Sequence, residues 1–377
     1  MKRNIKYDIP IRIVCAVLFT TFSFLYISLF QGELLALVQD HLAQGQTTNN
    51  TFITATIITL LLQALQYLLN RVGQLHGRFE AISYLPSCVL LALLTKVDGA
   101  LSYSWVAWVA SLVIVAAVYV LAMWFRKNIF ESRDMAFLHQ CTPNLGVLAV
   151  LFVFTGCYGN DVTIKHLELS AWNHAHSGKY AKVLRVGSKS ADTNADLTAL
   201  RNLALAKTGQ LGDILFSYPQ PYGSEGLLMH RTATQTPSYG VDEYYLLLGQ
   251  TPDEGESATD FYHRLAHQVD SVAYGDLYLS ALLLDKNLEL FVEHTVDAES
   301  SVPLSSTAPK HHQEAWIIYN EQHPFTPVVF TPDSEVMQRY QEYLALYEAH
   351  SSNPVVMKNL CQRQFGDTYW YYYDFVK

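Results

Sequence analysis

The chain has 377 residues, a formal net charge of −9 and a mean hydropathy of +0.10, an average that hides two unlike halves. Up to Asn160 there are ten Lys/Arg and seven Asp/Glu; beyond it there are 15 and 27, so the front half carries +3 and the back half −12. An acidic back half argues against nucleic acid, because phosphate binding needs clustered Lys and Arg, and against lying flat on anionic lipid.

The front half holds five apolar tracts, at residues 13–30, 52–69, 81–95, 103–125 and 145–158. A helix needs about 20 residues to cross the hydrocarbon of a bilayer. The first, second and fourth tracts meet or approach that length. The third and fifth are short, and a buried or re-entrant segment is their alternative reading. The third also contains Pro86, which a membrane helix tolerates when neighbours satisfy the freed carbonyl.

Basic residues in short loops set orientation. Lys2, Arg3, Lys6 and Arg12 precede tract one, Arg71 and Arg78 separate tracts two and three, and Arg126, Lys127 and Arg133 separate tracts four and five. The two intervening loops, 31–51 and 96–102, carry only Lys96. The alternation predicts five crossings, a cytoplasmic N-terminus and a back half on the far side. Losing either short tract would spoil it. Tract one ends Leu29-Phe30-Gln31-Gly32-Glu33 without a small-x-small cleavage site, so it reads as an uncleaved anchor. Phe154-Thr155-Gly156-Cys157 looks like a lipoprotein box, but it lies far from the N-terminus and reads as coincidence.

No Asp, Glu, Lys or Arg falls inside a tract, which disfavours a pump or transporter. Thr54, Thr56, Thr59, Gln63 and Gln66 in tract two suit hydrogen bonds between helices. Trp105, Trp108 and Trp124 suit interfacial anchors. Cys15, Cys88, Cys141 and Cys157 lie in or beside the tracts and only Cys361 lies in the back half, so no disulfide framework is expected.

From Asp161 the pattern becomes amphipathic helices broken by polar turns. Ala175-His176-Ser177-Gly178-Lys179-Tyr180 and Ala206-Lys207-Thr208-Gly209-Gln210-Leu211 share one grammar, with their glycines 31 residues apart. A small residue lets helices approach, glycine supplies the turn, and a large residue restarts the apolar stripe. This resembles the helical hairpin of tetratricopeptide repeats, whose period is near 34; Trp172 and Pro219 fall where that pattern uses them. Helices are expected at 244–248, 258–269, 277–284 and 288–294. Pro309 opens another at 310–320, and Asp333 caps one at 335–350. Loops are expected at 218–239 and 299–308, with extension at 327–330. The predicted fold is all-α: a transmembrane bundle over 1–160, then a tetratricopeptide-like α-hairpin solenoid of nine to twelve helices over 161–377.

Candidate sites are few. His263 and His267 stand at i, i+4, the spacing by which two imidazoles share a metal. The residue after His263 is Arg264, so H-E-x-x-H is absent, and the pair reads as structural. His174 with His176, and His311 with His312, lack Cys or carboxylate partners at ligand spacing and read the same way. No metal or other cofactor is expected. Glu33 and Asp40, in the predicted loop after tract one, are candidate acids by comparison with polytopic glycosyltransferases that use lipid-linked sugars; solvated carboxylates at a helix end are the plainer reading. The C-terminal Tyr369, Trp370, Tyr371, Tyr372 and Tyr373 read either as a partner-docking patch or, preferred, as a lid over the last helices.

Gly209-Gln210-Leu211-Gly212-Asp213, Phe216-Ser217-Tyr218-Pro219-Gln220, residues 279–288, 309–320 and 365–373 resemble an uncharacterised family of Bacteroidota membrane proteins with a tetratricopeptide-like C-terminal region. The resemblance implies a multi-pass inner-membrane protein with its helical region in the periplasm. It brings no activity and no functional residues. The expected function is therefore a membrane-anchored scaffold that binds a protein or peptide partner. The alternative is a glycosyltransferase-like enzyme acting on a lipid-linked substrate at the outer leaflet.

Overall fold

A computed structural model describes residues 8–44, 46, 50–96, 104–128, 137–158, 163–188, 190, 192–232, 239–268, 272–295, 308–325 and 327–376. The chain divides into two compact units, Met1–His166 with Thr232–Gly240, and Leu167–Arg231 with Val241–Lys377. Thr232 and Tyr239 thus group with the front unit rather than with the helices around them in sequence. Within that unit Lys165 Nζ donates to Tyr239 Oη at 3.1 Å and lies over its ring.

Among the described residues, five helices of the first unit are long and apolar enough to cross a membrane. Helix α1 (Asp8–Leu25) passes through a wider π-helical stretch, Tyr26–Gln31, directly into α2 (Gly32–Ala43). The predicted loop at 31–51 is therefore helix as far as Ala43. Gly32 makes this possible where α3 (Thr51–Gly73) begins, since a Cβ there would stand 2.2 Å from Thr51 Cγ2. Asn50 caps α3, its side chain accepting from the amides of Phe52 and Ile53. A 3₁₀ segment, Gly77–Tyr84, runs into α4 (Leu85–Thr95). Pro86 falls in the first turn of α4, where its missing N–H costs no helical hydrogen bond. Helices α5 (Trp105–Asn128) and α6 (Phe137–Tyr158) complete the set. The two short tracts are thus parts of longer helical stretches, 19 residues from Gly77 to Thr95 and 22 in α6.

Side chains of α1 and of the π-helical stretch after it fill the centre of this unit. Ile11, Cys15, Phe19 and Ile27 are buried among Leu62, Tyr84, Cys88, Leu91 and Leu148, and the rings of Phe22 and Phe152 stack at 4.0 Å. Helix α5 is the least buried: Leu112, Val113 and Ile114 are each more than 60% exposed. Such an outward apolar surface suits hydrocarbon, where it carries no hydrophobic penalty.

The second unit is also helical, and no strand occurs among the described residues. Among the described residues from 163 onward there are twelve α-helices. They are α7 (Thr163–His176), α8 (Tyr180–Val183), α9 (Ala195–Thr208), α10 (Leu211–Ile214), α11 (Val241–Leu248), α12 (Ala258–Gln268), α13 (Val272–Leu284), α14 (Leu288–Thr295), α15 (Lys310–Gln322), α16 (Ser334–Ala349), α17 (Pro354–Phe365) and α18 (Tyr369–Phe375). The expected extension at 327–330 forms no strand. There the backbone of Val328 exchanges both its hydrogen bonds with the Asn320 side-chain amide, at 2.6 and 3.0 Å.

Both predicted glycine turns are present. Gly178 and Gly209 adopt φ of +67° and +65°. The residue after each donates back five positions, Lys179 N to His174 O and Gln210 N to Leu205 O, both at 2.9 Å. The same closure recurs at Lys286, φ +59°, with Asn287 N donating to Leu282 O at 2.8 Å. The returning helices α8 and α10 are single turns of four residues, where a tetratricopeptide hairpin has two long helices. In the turn after α8 the buried Arg201 guanidinium donates to the carbonyls of Val186 and Gly187, both at 3.1 Å. After α10 comes a 3₁₀ turn, Leu215–Ser217, and then Pro219. Helices α9 and α15 are buried on nearly every side.

Candidate functional site

The first unit contains a charged node inside the third candidate span. Glu80 is 1% exposed. Its Oε1 accepts from Asn70 Nδ2 at 3.0 Å and from Arg12 Nε at 3.2 Å, and His76 Nδ1 stands 3.8 Å from Oε2. Arg12 Nη2 also lies 2.9 Å from His76 Nδ1. The partners stand at one end of the unit, because α1 starts there, α3 ends there and the 3₁₀ segment returns there. Next to them Asn144 of α6 is fully buried. Its side chain accepts from Ala81 N and donates to the carbonyls of Gly77 and Gln140, all at 2.7 Å. Gln66 donates to Ser83 Oγ at 2.7 Å, the role expected of the polar residues in tract two.

This corrects the expectation that the spans are free of charge. Glu80 sits one residue before the third apolar tract, so a hydropathy boundary excluded it. The signal that could have found it is the basic-loop alternation, which places Arg12 and Glu80 at the same end of their helices. A buried carboxylate needs paired donors to remain there. The node works as a polar clasp joining α1, α3, α6 and the 3₁₀ segment. Asn144→Ala is expected to lower the stability of the detergent-solubilised protein by about 2 kcal/mol, since the Ala81 amide and the Gly77 carbonyl on the neighbouring segment lose their partner. A thermal or SDS unfolding midpoint unchanged from wild type would show that the clasp contributes nothing.

Glu33 and Asp40 lie on α2 rather than in a loop, and both are partly exposed. Seven residues apart, they share one helix face but are separated by about 10 Å along its axis. They are two turns apart, too far for both to bind one ion from a rigid helix.

The C-terminal rings are inward. Tyr369, Trp370, Tyr371 and Tyr372 are all buried, and Tyr373 is half-buried. Trp370 packs on Tyr340 and Tyr343 of α16, and Tyr372 on Phe216, with its hydroxyl donating to Leu284 O at 2.7 Å. Four of the five proposed docking rings therefore have no free face; they cover neighbouring helices. Lys286, held in its left-handed turn, donates to the carbonyls of Tyr373 and Val376 at 2.8 and 2.6 Å and so caps the end of α18. Desolvation pushes the Lys286 ammonium down from its usual value.

The histidine pairs fare differently from one another. His311 and His312 point apart: His311 Nδ1 meets Glu314 at 2.7 Å, while His312 lies against Phe291 and Trp316. His176 faces Glu243 at 3.2 Å. Only His263 and His267 lie together, with Nε2 atoms 3.1 Å apart, and His294 of α14 joins them. These three could hold a metal. The hollow lined by Leu203, Ala206, Leu248, Tyr274 and Leu277 has a volume near 90 Å³, well below the roughly 300 Å³ of a small-molecule site.

Five candidate spans followed by an all-α unit define a membrane protein of helical bundle and helical domain. The chain belongs to a family of unknown function, DUF6057, whose model matches residues 105–259 and 256–376, most of the chain. No curated protein and no solved structure matches it.

Proposed function

We propose that the protein is a membrane-anchored interaction module. In this reading its first unit lies in a bacterial inner membrane with the N-terminus in the cytoplasm, and its second unit presents a tetratricopeptide-like helical surface to a protein or peptide partner in the periplasm. The observation that carries the reading is the recurring hairpin turn at Gly178, Gly209 and Lys286, because stacked helical hairpins generate extended binding faces. Leu246 and Val355, each at least 70% exposed, are apolar groups such a face would offer. The basic-residue alternation supports the orientation. The resemblance to Bacteroidota membrane proteins supports the compartment. A glycosyltransferase-like enzyme has less support, since Glu33 and Asp40 stand two turns apart.

Two measurements test this. An alkaline phosphatase fused after Lys377 is expected to be active, and one fused in the loop after Gly73 inactive; the reverse pattern refutes the orientation. A photo-crosslinking residue at Leu246 or Val355 is expected to trap the same envelope protein in repeated preparations. Failure to trap any reproducible partner at either position sinks the interaction reading.

A further inference from the structure

We propose that His263, His267 and His294 form a zinc(II) site on the second unit, with three imidazole ligands and a fourth position open to water.

The site is assembled by two separate pieces of chain. On α12, positions four apart lie on one face, which brings the two imidazoles together. Helix α13 then leads to the left-handed turn at Lys286, and α14 returns so that His294, in its last turn, lies beside that pair. One ligand atom from each residue falls within 4.8 Å of the other two. At zinc–nitrogen lengths near 2.0–2.1 Å, tetrahedral ligands stand about 3.4 Å apart. The His263–His267 separation of 3.1 Å is already close to that. All three side chains are exposed, so small side-chain rotations can close the rest without moving the backbone.

Two further features suit a metal better than a chance cluster. First, His294 Nδ1 lies 2.9 Å from the carbonyl of Leu290. A carbonyl only accepts, so Nδ1 carries the proton and Nε2 keeps its lone pair for a ligand. This is the outer hydrogen bond that orients metal-binding histidines. Second, the buried ring of Tyr278 contacts both His263 and His294, at 5.0 and 5.1 Å between centroids, and braces them from below. The carboxylates facing the cluster are Asp260 on α12 and Glu293 on α14, which act on Tyr278, Asp260 also on His263. Their negative charge favours a cation. Imidazole ligands suit zinc, copper, nickel and iron, and a three-histidine set with an open position suits tetrahedral zinc. A bound ion would staple α12 to α14.

The test uses the full chain in detergent, purified without a polyhistidine tag. Titration with zinc chloride at pH 7.5, followed by calorimetry, is expected to give one site per chain. Cobalt(II) in its place is expected to give the intense visible absorption of a tetrahedral complex. His294→Ala and His263→Ala should each weaken zinc at least tenfold, a loss typical of a disrupted metal site, and abolish the cobalt band. His174→Ala should change neither. His294→Asn provides a second variant of similar polarity, and unchanged circular dichroism without metal shows that each variant is folded. Absence of a zinc site in wild type, a site unaffected by both His294 variants, or an octahedral cobalt spectrum would each overturn the proposal.

Discussion

Replacing Glu314 by alanine is expected to destabilise the second unit by about 2–5 kcal/mol, the cost of leaving two buried donors without their acceptor. Glu314 is fully buried at the centre of α15. Its Oε2 accepts from His311 Nδ1 and from the backbone amide of Tyr369, both at 2.7 Å, and Lys310 Nζ stands 3.8 Å from Oε1. The Tyr369 amide opens α18, where the first N–H groups have no partner within the helix. Glu314 therefore supplies an acceptor at the start of the helix that carries the C-terminal aromatics. Its loss should loosen the aromatic cover as well as the local hydrogen bonds. Pulse proteolysis of the solubilised protein in urea would measure the change. Early cleavage by a protease specific for aromatic residues would locate it at the C-terminus. Glu314→Gln keeps an acceptor oxygen and should lose less. If the alanine variant stays within about 1 kcal/mol of wild type, the range expected for a surface change, Glu314 is not the anchor.

The second large effect is acid sensitivity through His312. This imidazole is buried against Phe291 and Trp316. Desolvation, and secondarily His311, lower it to about 4 from 6.5. The folded state thus resists protonation where the unfolded state accepts it. Stability from this group is complete above about pH 6.5 and declines as pH falls towards 4, at up to about 1.4 kcal/mol per pH unit and about 3 kcal/mol in all. Asp213 acts in the opposite direction, favouring the charged ring. His312→Phe removes the titrating group while keeping a flat apolar ring. Urea midpoints measured between pH 7 and 5 should fall more steeply in wild type than in the variant. Parallel curves would mean that His312 does not control the acid response.

Much of the architecture was legible in local pattern. The five spans follow from apolar runs, the two weaker ones supported by the alternation of basic loops. The turns at Gly178 and Gly209 follow from glycine at a helix end, because that conformation is set by a few neighbouring residues. What followed those turns was not legible. A hairpin grammar predicts a long returning helix, yet α8 and α10 are single turns, and after α8 the carbonyls of Leu184, Val186 and Gly187 accept from Tyr218 and Arg201 far along the chain. Burial on all sides hid the importance of α9. A helix with no solvent face has no amphipathic stripe, so Arg201 and Asn202 gave no warning that they would be central. Asn202 pairs with Gln220 at 3.0 and 3.1 Å and donates to Gly226 O at 2.9 Å.

The candidate sites divide along the same line. His263 and His267 could be found by spacing, but His294 belongs with them only because the turn at Lys286 folds α14 back. Glu80 stood outside every apolar run, and its partners Arg12 and Asn70 are 68 and 10 residues away. By itself the sequence determined the helical class, the five apolar helices and the charge difference between the halves, since these depend on composition and on neighbours along the chain. Tertiary structure alone decided that a carboxylate belongs to the third span, that the aromatic tail faces inward and that three imidazoles converge. Each of these depends on hydrogen bonds and packing between segments far apart in sequence, which no local pattern records.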